Sequence, residues 1–413
     1  MSNHQFAVAA DLTDLVTRII SGTGGSSITD VYIQPNMPFR GRVASQEWVQ
    51  IVDPDRPGNL PIIYSSERFD AAMAAFFAKD DQRPNAQWKD EVVKAGGCAY
   101  PVFKMLVQEL SEVDGVQKAV DRNYRVRGTL QKQNGGEYGL MLRCLREVPE
   151  SLESIGLPPT VETLLEQRAG LILVTGPTGA GKSTTIAAMV NDINSKRTAN
   201  IVMIEDPVEY LHEPKMGVVI TREVHTDVES YEKGVEQVLR FVPDVIGIGE
   251  IRDAATLRAA VRAGESGHLV IATMHAPTTT AAIRKAMGYL ETPGEQMAFS
   301  GCLVGIIAQA LIPKKSGGKA LAYEILDARM SGDKEDGAST SVQSIISDIV
   351  SGKGEEPYTR LAQDLREGKG GGPLSSHFGV SLLGLVRSGE VTPLRAATVA
   401  SDRVTIKQLM AMR

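Results

Sequence analysis

The run Gly176-Pro177-Thr178-Gly179-Ala180-Gly181-Lys182-Ser183, followed by Thr184, carries the clearest chemistry in this chain. It fits G-x-x-x-x-G-K-[ST], a loop that cradles phosphates. Glycines let backbone N–H groups converge on negative oxygens. The helix that starts in the loop adds partial positive charge at its N-terminus. In such a loop the lysine, Lys182, reaches the β- and γ-phosphates and the hydroxyl of Ser183 ligates Mg²⁺. The expected ligands are therefore ATP and Mg²⁺.

Acids stand where a nucleotide needs them. One apolar run ends in Glu205-Asp206-Pro207 with Glu209 beyond, and another ends in Glu250 with Arg252 and Asp253 beyond. Phosphoryl transfer to water needs one acid at the metal shell and one that orients or deprotonates the water. Glu250 is the expected metal-shell acid, acting with Ser183 and partly through water. Glu205 is the expected acid for polarising water, and the two can exchange roles. For Glu209 and Asp253, a solvated loop charge or a helix cap competes with a site role. His268 and His275 bracket a further apolar run. His275 is at its carboxyl end and is a candidate to contact the γ-phosphate, whereas a structural or inter-subunit role fits His268.

These residues need a scaffold. Apolar runs at 171–175, 201–204, 245–248 and 269–273 alternate with helical patterns. That pattern predicts a mainly parallel α/β sheet covered on both faces, and such sheets bind ligands at the carboxyl ends of their strands. A helix is expected over 183–194. Upstream, residues 1–20 read as an amphipathic helix and 28–43 as two strands turning at Asn36-Met37-Pro38. Apolar spacing over 67–77 is helical. Strands at 124–132 and 138–145 flank the turn Asn134-Gly135-Gly136. The expected division is an α+β domain over 1–146, a proline-containing linker over 147–159, a core over 160–292 and a mainly helical region over 293–413.

Composition narrows the classes. The chain has 413 residues, 42% hydrophobic and 23% charged, which excludes a wholly disordered chain. Its net charge of −6 and aromatic content of 5% argue against a basic, base-stacking channel, so no nucleic acid is expected. Three scattered cysteines, Cys98, Cys144 and Cys302, form neither a disulfide framework nor a CxxC metal site. The start, MSNHQFAVAADLTDL, lacks a basic region before an apolar core, so no secretory signal is expected. The apolar run at 302–313 is shorter than the roughly 20 residues of a membrane span. A soluble, cytoplasmic chain is expected.

Taken together, the motifs resemble the secretion ATPase superfamily of the GspE/PilT type. Gly176–Thr184, Ile204-Glu205-Asp206-Pro207-Val208-Glu209-Tyr210, Val242-Pro243-Asp244 to Glu250-Ile251-Arg252-Asp253, and Gly267-His268 to His275 look like its Walker A, Asp box, Walker B and His box. Within it the chain is most similar to the pilus-retraction branch and its type IVB secretion and conjugation relatives. The resemblance implies a RecA-like P-loop core, an N-terminal PAS-like domain and a homohexameric ring with ATP between subunits. It also implies docking on inner-membrane platform or secretion-complex proteins, with the chain peripheral at the inner face of the membrane. Two features depart from the retraction branch. Ser341-Val342-Gln343-Ser344-Ile345-Ile346 stands where that branch has Ala-Ile-Arg-Asn-Leu-Ile. Ala276-Pro277 follows His275 where a Thr-Thr pair is common. Both features favour the secretion or conjugation side.

A ring can borrow cations from a neighbouring subunit to neutralise developing charge. Arg125, Arg127 and Arg143 are the candidates, with an exposed, salt-bridging strand as the competing reading. Arg222 and Arg240 are weaker candidates. The same loop also suits a nucleotide-dependent switch or a DNA-remodelling ATPase.

Overall fold

The stretch 28–43 forms the expected pair of strands, β1 (Ile28–Ile33) and β2 (Arg40–Val43), antiparallel about Asn36, whose φ is 60°. The structure is a computed structural model that describes residues 28–43, 48–50, 63–78, 98–99, 102–113, 116–133, 137–144, 148–329, 341–369, 372 and 375–412. The chain divides into two units, Met1–Arg146 and Glu147–Arg413. The helix expected over 1–20 and the turn Asn134-Gly135-Gly136 lie outside the described residues.

The first unit adds β3 (Trp48–Gln50), α1 (Ser66–Ala78), β4 (Cys98–Ala99), β5 (Val102–Val113), β6 (Val116–Gln133) and β7 (Glu137–Cys144). Its sheet runs β3-β2-β1-β7-β6-β4, with β5 also paired to β6, and every pairing is antiparallel. Val31, Ile33, Leu130, Leu140 and Leu142 are fully buried, and Phe69 and Met73 of α1 are nearly so.

The second unit holds β8 (Gly170–Thr175), α2 (Lys182–Lys196), β9 (Asn200–Glu205), β10 (Val218–Glu223), α3 (Tyr231–Val238), β11 (Val245–Ile248), α4 (Ala254–Glu265), β12 (Leu269–Met274), α5 (Thr279–Tyr289) and α6 (Pro293–Cys302). Then come β13 (Leu303–Pro313), β14 (Lys319–Asp327), α7 (Val342–Val350), α8 (Glu356–Glu367), α9 (Phe378–Arg387), α10 (Pro393–Ala397) and α11 (Arg403–Ala411). The sheet order is β10-β9-β11-β12-β8-β13-β14, parallel throughout except for the β13–β14 pair.

The continuous apolar runs follow from this topology. Successive side chains of a strand point to opposite faces. Leu171 and Leu173 enter one core cluster and Ile172 and Val174 another. Both faces are covered, so both sets must be apolar. Ile186, Met189, Val190 and Ile193 of α2 join the second cluster, while Val235 of α3 and Leu257 and Val261 of α4 join the first.

Two expectations need correction. The sheet does not end near residue 292, because β13 and β14 extend it to Asp327, and the helical C-terminal region begins only at Val342. The apolar run at 302–313 is β13, a strand whose first eight residues are all buried. Such a run looks like a buried helix in sequence because it has no alternation to read. The segment 147–159, expected as a linker, is also part of the second unit. Leu152 and Leu157 are 1% and 2% exposed and join the same core cluster as α2. Asn191 of α2 donates through Nδ2 to the carbonyl of Pro149 at 2.9 Å.

Among the described residues, no helix is long and apolar enough to cross a membrane.

Candidate functional site

The phosphate loop links β8 to α2. Gly176, Gly179 and Gly181 have φ of 154°, 77° and 85°, values that favour glycine. Gly176 needs glycine for space as well, since a Cβ there would lie 2.4 Å from the carbonyl oxygen of Gln309. Ser183, in the first turn of α2, is exposed. The glycine-lined loop, the helix N-terminus and the exposed Ser183 in its first turn fit a phosphate chain with a magnesium ion.

Lys182 is 9% exposed. Its Nζ donates to the carbonyls of Gly176 and Pro177, both at 3.0 Å, and lies 3.4 Å from His275 Nδ1. Burial pulls its pKa down, while the negative charges of Glu250 and Glu209 pull it up. An ammonium only donates, so its contact makes Nδ1 of His275 the acceptor. Nε2 then carries the ring proton and donates to Glu250 Oε1 at 2.8 Å. The other oxygen of Glu250 accepts from Arg252 Nε at 2.8 Å, and Arg252 Nη1 approaches Asp206 Oδ2 at 3.4 Å.

The strand order explains this convergence. β12 lies between β8 and β11, so its carboxyl end delivers His275 between Lys182 and Glu250. β9 brings Glu205 and Asp206 to the far side of β11. Glu205 Oε2 accepts from the backbone N–H of Glu209 at 3.0 Å. Glu223 of β10 lies opposite Glu205 in register and accepts from the N–H of Val208 at 3.2 Å, which shapes the acidic loop. Tyr210, from the same loop, meets Thr184 Oγ1 at 2.8 Å. Burial and the Asp206 charge raise the pKa of Tyr231.

The remaining candidates divide. Asp253 is the N-cap of α4 and accepts from the N–H of Thr256 at 2.7 Å, so the helix-cap reading holds. Glu209 is exposed but still acts on Lys182 through its charge. His268 stands at the opposite end of β12 from the loop, beside Ser266 Oγ at 3.0 Å. Arg222 donates to the carbonyl of Asp227 at 3.0 Å. Arg125, Arg127 and Arg143 belong to the other unit. Arg143 donates to Asp30 at 2.6 Å, the salt-bridged strand of the competing reading. Asp30, Arg143 and Arg127 stand opposite one another across β1, β7 and β6, and Arg125 is two residues from Arg127 along β6.

Sequence reasoning missed Gln309. It is fully buried on β13, accepts from Thr185 Oγ1 at 2.8 Å and donates to the carbonyl of Ala180 at 2.7 Å. It therefore grips the loop and the first turn of α2 together. Its signal was its polarity inside the apolar run 302–313. Gln309→Leu leaves two buried polar atoms without a partner, at about 1–3 kcal/mol each. Weaker binding of a fluorescent ADP analogue, by about tenfold, is expected in a folded variant; unchanged affinity would show that the loop holds without Gln309.

The chain matches the family model "Type II/IV secretion system protein" over residues 121–344, more than half its length. It belongs to that family, the superfamily of secretion ATPases. One relative is the type IV pilus retractation ATPase PilT of Pseudomonas aeruginosa, 38% identical over 207 residues. That match takes in 49% of this chain and 59% of the relative, so this chain spans about three-fifths of that curated protein. Among solved structures, the pilus retraction motor PilT with bound ADP superposes at a TM-score of 0.72 and 27% identity, covering 96% of this chain and 99% of that one. The DotB ATPase of Legionella pneumophila, at 0.65 and 20% identity over 94% and 92% of the two chains, shares the fold. A secretion-ATPase α/β fold with a mainly parallel sheet and a helical C-terminal region is thus established.

Proposed function

We propose that this chain hydrolyses ATP to power protein secretion, conjugative transfer or type IV pilus dynamics, working as a homohexamer. The observation that carries this reading is the chain of contacts Lys182–His275–Glu250 at the mouth of the phosphate loop. It joins a cation for phosphate, an imidazole in contact with both of its neighbours, and an acid just beyond the end of a strand.

In this reading the backbone N–H groups around Gly179–Ser183 bind the phosphates. Lys182 turns from the loop carbonyls to the β- and γ-phosphate oxygens. Ser183 and Glu250 would hold Mg²⁺, partly through water, and the ion would supply neutralising charge to the phosphates. Glu205 orients the attacking water and accepts its proton. His275 is placed to follow the γ-phosphate. Arg125, Arg127 and Arg143 act on a neighbouring subunit's nucleotide. Hydrolysis moves the N-terminal domains against the ATPase core. The chain docks from the cytoplasm on platform or secretion-complex proteins at the inner membrane face, and nucleic acid is not a substrate. Support comes from the ordered motifs and from likeness to a motor whose structure holds ADP.

Steady-state phosphate release tests this reading: ATP-dependent turnover that saturates supports it, and none contradicts it. The arginines have their own test. Arg143→Ala is expected to lower kcat several-fold and leave assembly intact; wild-type kcat would remove Arg143 from the list. Because that change also strips buried Asp30 of a partner, Arg143→Lys with a retained melting temperature separates the two effects.

A further inference from the structure

Glu250 is held from two sides. His275 Nε2 donates to Oε1 and Arg252 Nε donates to Oε2, each at 2.8 Å. The two grips differ in freedom. His275 sits at the end of the buried strand β12 and is also in contact with Lys182. The side chain of Arg252 is 53% exposed, and its Nη1 already lies 3.4 Å from a second carboxylate, Asp206. Its backbone is fixed, since its carbonyl accepts from Tyr289 at 2.8 Å and the neighbouring Ile251 N–H donates to the carbonyl of Thr273 at 2.8 Å. The part able to move is the guanidinium arm, and Asp206 gives it somewhere to go.

A guanidinium is a permanent cation whose charge-assisted hydrogen bond occupies an oxygen lone pair of its acceptor. Magnesium and its bound waters need those same carboxylate oxygens. We propose, on the ATPase reading above, that Arg252 is a positioning residue that competes with hydrated Mg²⁺ for Oε2 of Glu250. Its arm passes from Glu250 to Asp206 when the metal–nucleotide complex loads. Arg252 thereby sets how much Mg²⁺ the site demands. Held between the arginine and His275, Glu250 also keeps a fixed orientation until loading.

The experiment titrates Mg²⁺ against binding of mant-ADP to the full chain. In Arg252→Gln the half-saturating Mg²⁺ concentration is expected to fall about five- to tenfold, with affinity in EDTA unchanged. In Arg252→Lys, which keeps the charge but loses the fork, the fall is smaller. If the competition is at Glu250, the shift disappears when Arg252→Gln is made in a Glu250→Gln background. Mg²⁺-dependent binding with no shift in the folded Arg252 variants overturns this inference alone, as does an equal shift in the Glu250→Gln background. A wild-type chain that binds no mant-ADP with Mg²⁺ overturns the ATPase reading and this inference with it.

Discussion

Lys182→Ala is expected to cut phosphate release by about 10²–10³-fold or more, the scale for removing a preorganised charge partner of the transition state. No other described side chain combines a cationic head, burial at the loop and contact with two of its carbonyls. The fold should survive. Burial already disfavours the charged form of Lys182, as its lowered pKa indicates, so removing the ammonium relieves a desolvation cost. The loop keeps its support from Gln309 and from its glycine conformations. Phosphate release beside a circular-dichroism melt checks both halves. A variant that melts like wild type and turns over at the wild-type rate would disprove the assignment.

Glu205→Gln is expected to lower kcat by about 10²–10⁴-fold, the range for a lost general base, while nucleotide affinity stays near wild type. The amide matches the carboxylate in shape, and its oxygen can still accept from the Glu209 N–H. What it loses is the ability to take a proton. Single-turnover kinetics with a binding titration separate these effects. Wild-type kcat in Glu205→Gln with a collapse in Glu250→Gln would exchange the two roles, an alternative that the sequence leaves open. If Glu205→Gln lost turnover yet kept partner control in cells, the chain would be a switch in which hydrolysis is incidental.

Much of the site was legible because its chemistry is local. Gly176 to Thr184 is one contiguous stretch of loop and first helical turn, and Glu205, Glu250 and His275 each stand at the end of an apolar run. A rule about strand ends brings them together without coordinates. What was not legible depends on strand order. Gln309 reaches the loop because β13 neighbours β8, and nothing near it in sequence announces that. In sequence Arg252 only follows an acid, and its reach to Asp206 needs β9 and β11 side by side. The fold shows the same division. Buried parallel strands read clearly when short and flanked by turns, whereas the eleven-residue β13, apolar on both faces apart from Gln309, offers no alternation to mark it as a strand. Prolines suggested a free linker at 147–159, but Leu152 and Leu157 were the better guide because buried leucines bind a segment to a core. The strand β5 was not expected, since Val102-Phe103-Lys104-Met105-Leu106-Val107 lacks strict alternation.

The most direct test of an ATP-hydrolysing ring is size-exclusion chromatography with light scattering, run with an ATP analogue, and phosphate release from MgATP assayed on the same fractions. The expected result is a species of about six times the 44.4 kDa chain that turns over ATP. A chain that stays monomeric and releases no phosphate would contradict it.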